Sequence, residues 1–259
     1  MEPRLNDCAV INIKPLIQGN KRFFSLEFEN AFIAESAEPG QIVHVKCGEN
    51  LLRRPFGVNG VNVKAGTFRV CFEVRGKGTR WMSGLKAGDV VSVMGPYGKP
   101  FETLKYSEKK VLLVGGGIGI YPLLFAADRL NLNGAEVRAA LGFQTASLVH
   151  MESEFKTKCA RVEIATDDGS YGYGGFVTDM AAGMADETRF DAVFACGPFI
   201  MMKKTHEIAS ARNIPCFVSL EERMGCGVGA CLACVCDTVN GKKRVCVDGP
   251  VFASYEIRW

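Results

Sequence analysis

Apolar and polar residues alternate with a period of two through much of the first hundred positions. Phe24, Leu26 and Phe28 lie on one face of such a pattern, and the pattern returns over 68–75. Several period-two segments bounded by Gly and Pro predict antiparallel strands arranged as a small β-barrel or a β-sandwich. Further strands are predicted at 8–17, 41–47 and 90–94, and the Gly-Pro turn at 95–98 ends this part of the chain.

From about residue 111 the pattern changes to short apolar runs that alternate with helical periodicity. This alternation predicts a doubly wound, mostly parallel α/β sheet with helices on both faces. The predicted strands lie at 111–114, 137–142, 161–165, 192–196 and 216–220. The predicted helices lie at 120–131, 151–158, 177–184 and 199–212.

The C-terminal segment is rich in Cys and Gly. Asn240-Gly241 is a strong hairpin signal between strands predicted at 235–239 and 242–247. We therefore expect three domains. They are a β-barrel at 1–100, an α/β domain at 101–218 and a small C-terminal module at 219–259.

The composition restricts the class of protein. The chain has 259 residues, of which 47% are apolar and 23% charged, with a formal net charge of +3. These values are typical of a globular protein and give no support to a nucleic-acid or membrane partner. Residues 1–14 lack the apolar core of a secretory signal. Eleven cysteines, an odd number, favour a reducing compartment, so we expect a cytoplasmic protein.

Four cysteines near the C-terminus have the spacing of an iron–sulfur site. They are Cys226, Cys231, Cys234 and Cys246, separated by four, two and eleven residues. A Cys-x4-Cys-x2-Cys run with a distant fourth Cys is the plant-type pattern for a [2Fe–2S] cluster. Structural zinc is the alternative, but it normally uses two short Cys pairs or histidines.

A fifth thiol leaves the fourth ligand open. A two-residue turn at Asn240-Gly241 pairs Cys246 with Val235, whereas a three-residue loop with a bulge pairs it with Cys236. Both registers fit the sequence, so Cys236 competes with Cys246 as the fourth ligand.

A glycine-rich turn follows the strand predicted at 111–114. Such a turn lets backbone N–H groups and a helix N-terminus approach a pyrophosphate. The G-x-G-x-x-G fingerprint is incomplete, because Ile120 occupies its last position and no acid follows the second strand. A tight structural turn is therefore the alternative. The glycines are Gly115, Gly116, Gly117 and Gly119.

Three further segments are candidates for nucleotide contacts. Cys196-Gly197-Pro198 follows a predicted strand at the end of the sheet where ligands bind, although a buried thiol is an equal alternative. Arg54 beside Pro55 can pair with a phosphate, and the segment 78–79 can offer donors at a helix start, although a solvated surface turn is the alternative. The segment 144–147 carries no Arg or Lys for a 2′-phosphate, which favours NADH over NADPH.

The remaining polar residues predict no acid–base site. His44, His150 and His206 lie on separate segments and are expected to be solvated or partly packed. Asp167-Asp168 is followed by glycine and is more typical of a turn than of a catalytic carboxylate pair.

In this order the features resemble the ferredoxin–NADP reductase-like flavoproteins, in which a β-barrel binds flavin and an α/β domain binds NAD(P). Arg54-Pro55-Phe56-Gly57 is similar to the family's flavin motif Arg-Pro-x-Ser. The segments 219–234 and 246–252 closely resemble the electron-transfer subunits of the NAD-linked dihydroorotate dehydrogenases of type B. The resemblance extends over nearly the whole chain.

The resemblance implies FAD, a [2Fe–2S] cluster and NAD(H) as cofactors, with no catalytic side chain, because the cofactors carry the electrons. The expected FAD contacts are Arg54, Pro55, Phe56, Gly57, Cys71, Phe72, Glu73, Gly78 and Thr79. The expected NAD contacts are Gly115, Gly116, Gly117, Gly119, Cys196, Gly197 and Pro198. The expected cluster ligands are Cys226, Cys231, Cys234 and Cys246.

Two positions depart from the family pattern. Gly57 stands where the motif has Ser, which removes a hydroxyl near the flavin. Phe72-Glu73 stands where relatives carry Tyr-Arg, which replaces a cation with an anion near the expected phosphates. Arg75 and Arg53 are the candidates to compensate. These departures leave the identity of the partner enzyme open.

The three cofactors have complementary chemistry. Nicotinamides exchange two electrons as hydride, a cluster passes one, and a flavin does both. The resemblance implies a partner subunit that contains FMN and oxidises dihydroorotate in pyrimidine biosynthesis, in a heterotetramer with two copies of each chain and NAD+ as acceptor. The alternatives are the reductase subunit of another redox complex (sulfide- or ferredoxin-linked, or feeding another flavoenzyme) and a redox sensor or zinc-stapled binding module.

Overall fold

The computed structural model of the chain describes residues 4–17 and 20–259. The chain forms two compact units, each discontinuous in sequence. The first unit comprises the residues up to 100 together with 221–236 and 242–250. The second comprises 101–220, 237–241 and 251–259. The division into three functional domains stays a prediction.

Six strands of the first unit close an antiparallel barrel, which confirms the barrel over the sandwich. The strands are β1 (Arg4–Ile17), β2 (Asn20–Glu29), β3 (Ile42–Val45), β4 (Arg54–Asn62), β5 (Thr67–Glu73) and β6 (Val90–Tyr97), with short helices α1 (Ala31–Ser36) and α2 (Lys77–Met82). Their order around the barrel is β1-β2-β5-β4-β3-β6. Leu26, Phe28, Phe68 and Val70 are fully or almost fully buried, as the period-two pattern predicts.

The strand β4 has no counterpart among the predicted strands. Pro55 and Gly60 lie within it, so no period-two pattern marks it. Pro55 lies in the half of β4 that pairs with β3, and the pairing with β5 shifts register between Val58 and Gly60. Proline and register shifts both interrupt the alternation that reveals a strand. This strand carries the candidate flavin motif.

The second unit is built on a parallel sheet, which confirms the doubly wound prediction. Its parallel strands are β7 (Lys110–Gly116), β8 (Glu136–Phe143), β9 (Arg161–Thr166), β10 (Tyr173–Gly174), β11 (Ala192–Cys196) and β12 (Cys216–Ser219). Its helices are α3 (Ile120–Leu132), α4 (Glu152–Lys156), α5 (Val177–Glu187) and α6 (Phe199–Ala211). The order β10-β9-β8-β7-β11-β12 reverses direction between β7 and β11, which is where ligands bind in such sheets.

The C-terminal hairpin is shorter than predicted. It consists of β13 (Val235–Thr238) and β14 (Gly241–Arg244), after which the chain turns into the helix α7 (Val245–Asp248). Cys246 lies on α7 rather than in the hairpin, so neither predicted register applies. The chain ends with β15 (Val251–Ala253), which pairs antiparallel with β12. Among residues 4–17 and 20–259, every helix is too short or too polar to span a bilayer.

Candidate cofactor sites

The four candidate cluster cysteines are arranged as two pairs. The backbone N–H of Cys226 donates to Cys231 Sγ and that of Cys231 donates to Cys226 Sγ, both at 3.4 Å. The backbone N–H of Cys246 donates to Cys234 Sγ at 3.5 Å. A two-iron cluster needs four thiolates distributed over two metals, and this donor set fits that requirement. Within residues 4–17 and 20–259, no three His, Cys, Asp or Glu side chains are arranged to hold a single metal ion.

Glycines let the backbone fold closely around these thiols. Gly229 has a φ of +78°, and a Cβ there would lie 2.8 Å from Val247 Cγ2. A Cβ at Gly225 would lie 3.2 Å from Cys231 Sγ. A side chain at Gly229 would collide with Val247, and one at Gly225 would press against the sulfur of Cys231. Gly229, between Cys226 and Cys231, is therefore required by space and by its backbone conformation, and Gly225, just before Cys226, allows the sulfur to approach closely.

The thiols differ in exposure and in acidity. Cys231 is exposed, whereas Cys234 and Cys246 are buried. Burial opposes ionisation of Cys226, but N–H donors from Cys231 and Val228 outweigh it and lower the pKa of Cys226 to about 7. Burial, reinforced by Cys234, raises the pKa of Cys246. Cys226 is thus readier to ionise than Cys246, whose proton a metal would have to displace.

The expected flavin contacts come together on neighbouring elements of the barrel. Arg54, Pro55, Phe56 and Gly57 begin β4, Cys71, Phe72 and Glu73 end β5, and Gly78 and Thr79 lie on α2. A Cβ at Gly78 would lie 3.1 Å from Arg54 Nε, so the arginine passes directly over this glycine. The rings of Phe56 and Phe72 lie 5.9 Å apart. Because Cys71 and Phe72 are buried, a ligand there would meet their backbone.

The turn before α2 is held by its own hydroxyl. Thr79 Oγ1 accepts hydrogen bonds from the backbone N–H groups of Arg75 at 2.9 Å and Gly76 at 3.2 Å. This hydroxyl therefore organises the turn that begins α2. We infer that it supports a ligand contact indirectly, through the backbone that it fixes.

The anion at Glu73 is neutralised within the protein. Its buried carboxylate forms ion pairs with Arg22 and with Arg75, whose Nε lies 2.5 Å from Oε2. Arg53 is engaged elsewhere, because its guanidinium donates to the carbonyl and hydroxyl oxygens of Ser92 at 2.8 and 3.0 Å. Of the two candidates to compensate for Glu73, only Arg75 contacts it.

The glycine-rich turn interlocks with the loop after β11. A Cβ at Gly119 would lie 2.2 Å from the carbonyl oxygen of Cys196, and one at Gly116 would lie 2.9 Å from Pro198 Cδ. Gly197 in turn approaches the backbone of Gly116. Gly117 has a φ of +55° with open space around it. These glycines are thus required by packing and by backbone conformation, and they lie at the switch point between β7 and β11.

The remaining expected contacts lie beside this turn. Gly115, the penultimate residue of β7, lies opposite Cys196 in the parallel register. Cys196 is 1% exposed, so its sulfur is buried and the loop offers its backbone to a ligand. α6 begins directly after Pro198, so a second helix N-terminus lies at this loop.

An acid stands near the loop after β8, although it comes from a different segment. Ser170 Oγ accepts the backbone N–H of Ala146 at 2.8 Å and donates to Asp168 Oδ1 at 2.5 Å. Hydrogen bonds from Ser170 hold the pKa of Asp168 below its usual value. The sequence predicts a turn at Asp168. The turn is present, and the Asp168 carboxylate is linked to the β8 loop through Ser170.

One polar residue in the barrel was missed by the sequence analysis. His44 is fully buried, whereas the histidines were expected to be solvated or partly packed. It lies on β3, opposite Pro55 of β4 and Met94 of β6. The residues on both sides of His44 are apolar, and all four residues of β3 are buried. An apolar run without alternation was the available signal that both faces of this strand are covered.

Known structures share the architecture. The structure of an NADH-dependent reduced ferredoxin-NADP oxidoreductase matches with a TM-score of 0.86 and 33% identity, over 97% of this chain and 90% of that one. The ferredoxin-NADP+ reductase from Plasmodium falciparum matches with a TM-score of 0.63 and 14% identity, over 79% of this chain and 89% of that one. The second match shows a common fold alone.

Sequence comparison identifies the family. Residues 221–258 match the model of the iron-sulfur cluster binding domain of dihydroorotate dehydrogenase B. The dihydroorotate dehydrogenase B (NAD(+)), electron transfer subunit of Shouchella clausii is 41% identical over 90% of this chain and 92% of its own length. The protein of the same name from Desulforamulus reducens is 41% identical over 91% of this chain and 92% of its own. The chain belongs to the family of the dihydroorotate dehydrogenase B (NAD(+)) electron transfer subunits.

Proposed function

We propose that this chain passes electrons between NAD(H) and a partner subunit that oxidises dihydroorotate to orotate. The observation that carries the proposal is that the four-thiol segment and the barrel with the flavin-motif residues belong to one compact unit. The names of relatives that are 41% identical over nine-tenths of the chain support the nature of the partner.

A nicotinamide, a flavin and a [2Fe–2S] cluster, bound in series, supply hydride transfer at one end and one-electron transfer at the other. We assign Cys226 and Cys231 to one iron and Cys234 and Cys246 to the other. The N–H···S contacts within each pair support this assignment.

In the flavin site, Arg54 is the cation we assign to the FAD phosphates. Arg53 is engaged by Ser92, and Arg75 is neutralised by Glu73. The guanidinium of Arg54 crosses Gly78, which brings it to the turn whose N–H groups begin α2. Charge and backbone donors then converge on one anionic group.

In the dinucleotide site, we assign the pyrophosphate to the backbone of the turn 116–119 and the start of α3. The nicotinamide end lies by the Cys196-Gly197-Pro198 loop in this proposal. Asp168 supports NADH as the cofactor, because its carboxylate near the β8 loop would repel a 2′-phosphate. The interlocked glycines support a site whose backbone is fixed before a ligand binds.

The chain belongs to a family of electron-transfer oxidoreductases, and we propose that it is the NAD-linked subunit of a two-chain enzyme. Its partner would contain FMN and perform the substrate oxidation, with two copies of each chain in a heterotetramer. The cytoplasm is the proposed location, supported by eleven cysteines among which the described structure forms no disulfide.

A second candidate function is the reductase subunit of a different redox complex. The 33% identity to an NADH-dependent reduced ferredoxin-NADP oxidoreductase over 97% of the chain supports it. The departures from the flavin motif at Gly57 and Glu73 support it as well. In that case ferredoxin, sulfide or another flavoenzyme would replace the dihydroorotate-oxidising partner.

The deciding experiment is anaerobic purification of the tagged full chain from its own cells, with analysis of flavin, iron, acid-labile sulfide and co-purifying protein. We expect one FAD and two irons per chain, and a partner with FMN that reduces NAD+ on addition of dihydroorotate. A complex that holds the cofactors but oxidises a different donor establishes the second candidate. A colourless protein without labile sulfide contradicts both.

A further inference from the structure

His44 is a buried polar residue on strand β3 of the barrel. It is 0% exposed. Neither Nδ1 nor Nε2 has a hydrogen-bond partner among residues 4–17 and 20–259. Buried ring nitrogens are nearly always bonded to protein, water or a ligand, so this position calls for a partner that the polypeptide does not supply.

The ring faces the four-thiol segment. A Cβ at Gly227, the residue after Cys226, would lie 2.8 Å from His44 Nδ1 and 3.0 Å from Cε1. Only a glycine therefore allows the thiol loop to approach the histidine this closely. The ring of Tyr97 packs edge-on against that of His44, with centroids 5.4 Å apart. All three residues belong to the first compact unit.

The ring of His44 is able to act as a donor whatever its charge. An imidazole carries one N–H when it is neutral and two when it is protonated, so at least one N–H needs an acceptor in this buried position. An N–H that faces apolar surroundings costs free energy unless an acceptor is present.

We propose that His44 Nδ1–H donates a hydrogen bond to a sulfur of the [2Fe–2S] cluster held by the thiol loop, and that this bond raises the cluster's reduction potential. The inference rests on the proposed function, because it requires the cluster. It identifies a residue of the barrel, far from the cysteines in sequence, that sets the energy at which electrons leave the chain.

The direction of the effect follows from charge. A reduced cluster carries one more negative charge than an oxidised one, so an N–H donor stabilises the reduced form more. Hydrogen bonds to the sulfurs are among the factors that set iron–sulfur potentials. Loss of the donor should therefore make the cluster harder to reduce, while the ligands remain in place.

The test compares four forms of the full chain, loaded with cofactors and bound to its partner. His44→Phe keeps an aromatic ring and removes the N–H, and His44→Asn restores a donor near the position of Nδ1. Met94→Leu is the packing control, because Met94 Cε meets the same point of Gly227 without a polar group. Each protein is titrated with reductant and followed by the electron paramagnetic resonance signal of the cluster.

At a fixed ambient potential, we expect the ratio of oxidised to reduced cluster to rise about tenfold in His44→Phe. For a one-electron couple this corresponds to a fall of about 59 mV in the reduction potential of the cluster. His44→Asn should recover most of this shift, and Met94→Leu should match the unmodified protein. A full cluster with unchanged potential in His44→Phe overturns the inference. A shift confined to the flavin, which would make flavin the acceptor, overturns it as well.

A second measurement needs no variant to fold. The chain contains three histidines, so labelling it with ¹⁵N-histidine and assembling it with unlabelled partner leaves few nitrogens to detect. Pulsed resonance of the reduced cluster should show a weak ¹⁵N coupling from His44. A loaded cluster without that coupling overturns the inference and leaves the proposed function intact, whereas protein without labile sulfide refutes the proposed function itself.

Discussion

At the scale of single residues, the contact between Gly119 and Cys196 leaves the least room for change. A Cβ at Gly119 would lie 2.2 Å from a backbone oxygen, which cannot move as a flexible side chain can. We expect Gly119→Ala to lower the free energy of unfolding by about 3 kcal/mol and to prevent NADH from bleaching the flavin. Urea denaturation and anaerobic NADH titration measure the two effects.

The matched control for this substitution is Gly183→Ala on α5. A Cβ at Gly183 meets nothing within 4 Å, and alanine favours a helix over glycine by roughly 0.5–1 kcal/mol. This variant should be slightly more stable and should bind NADH normally. If Gly119→Ala also binds NADH normally, the dinucleotide does not use the turn at 116–119.

The carboxylate of Asp168 is expected to set the choice between NADH and NADPH. Asp168→Asn removes its charge but keeps an acceptor for Ser170 Oγ, which lies 2.5 Å away. We expect the ratio of kcat/KM for NADPH to that for NADH to rise severalfold, because the repulsion of the 2′-phosphate is lost. Asp167→Asn makes the same change of charge one residue earlier and should leave the ratio unchanged. Equal ratios in the two variants would assign the preference elsewhere.

At the scale of elements, the sequence predicted those parts of the fold that regular patterns encode. The alternation in β2 and β5 and the apolar runs of β7, β8 and β11 sufficed for a barrel and a parallel sheet. β4 was not predicted, because Pro55 and a register shift interrupt its alternating pattern. The end of β14 was not predicted, because hydrogen bonds between Arg244 and the side chain of Asp248, four residues later, accompany the turn into α7. Patterns report burial, whereas these features depend on particular hydrogen bonds.

The helix α7 is the element that positions Cys246. Asp248 Oδ2 accepts the backbone N–H of Arg244 at 2.8 Å and its Nε–H at 3.1 Å. We expect Asp248→Ala to cost about 1 kcal/mol through the lost hydrogen bonds from Arg244 and to accelerate loss of the cluster. Asp248→Asn keeps an acceptor and should retain most of the stability. The rate of labile sulfide release in the presence of a chelator is measured for the two variants and for the unmodified protein. Equal rates in all three would show that α7 does not stabilise the cluster.

At the scale of the whole molecule, the chain separates its tasks between two units. The glycine-rich turn and the loop after β11 lie in the second unit, and the flavin-motif residues and thiols lie in the first. In our proposal the barrel contributes more than flavin contacts, since His44 on β3 and the thiol loop meet within that first unit. We therefore expect electron exchange with NAD(H) and electron exchange with the partner to depend on different residues, so that a substitution can abolish one and leave the other intact.

Cys231→Ala tests this separation directly. Cys231 is exposed and shares N–H···S contacts with Cys226, so its loss should prevent the cluster from assembling while the barrel and the parallel sheet stay folded. NADH should still bleach the flavin at nearly the normal rate in stopped flow, whereas NAD+ reduction by dihydroorotate with the partner should fall to background. Cys236→Ala removes a neighbouring thiol of β13 and should preserve both activities. Loss of both activities in Cys231→Ala would mean that the thiol loop supports the flavin site as well. Loss of the cluster in Cys236→Ala would instead identify Cys236 as a cluster ligand.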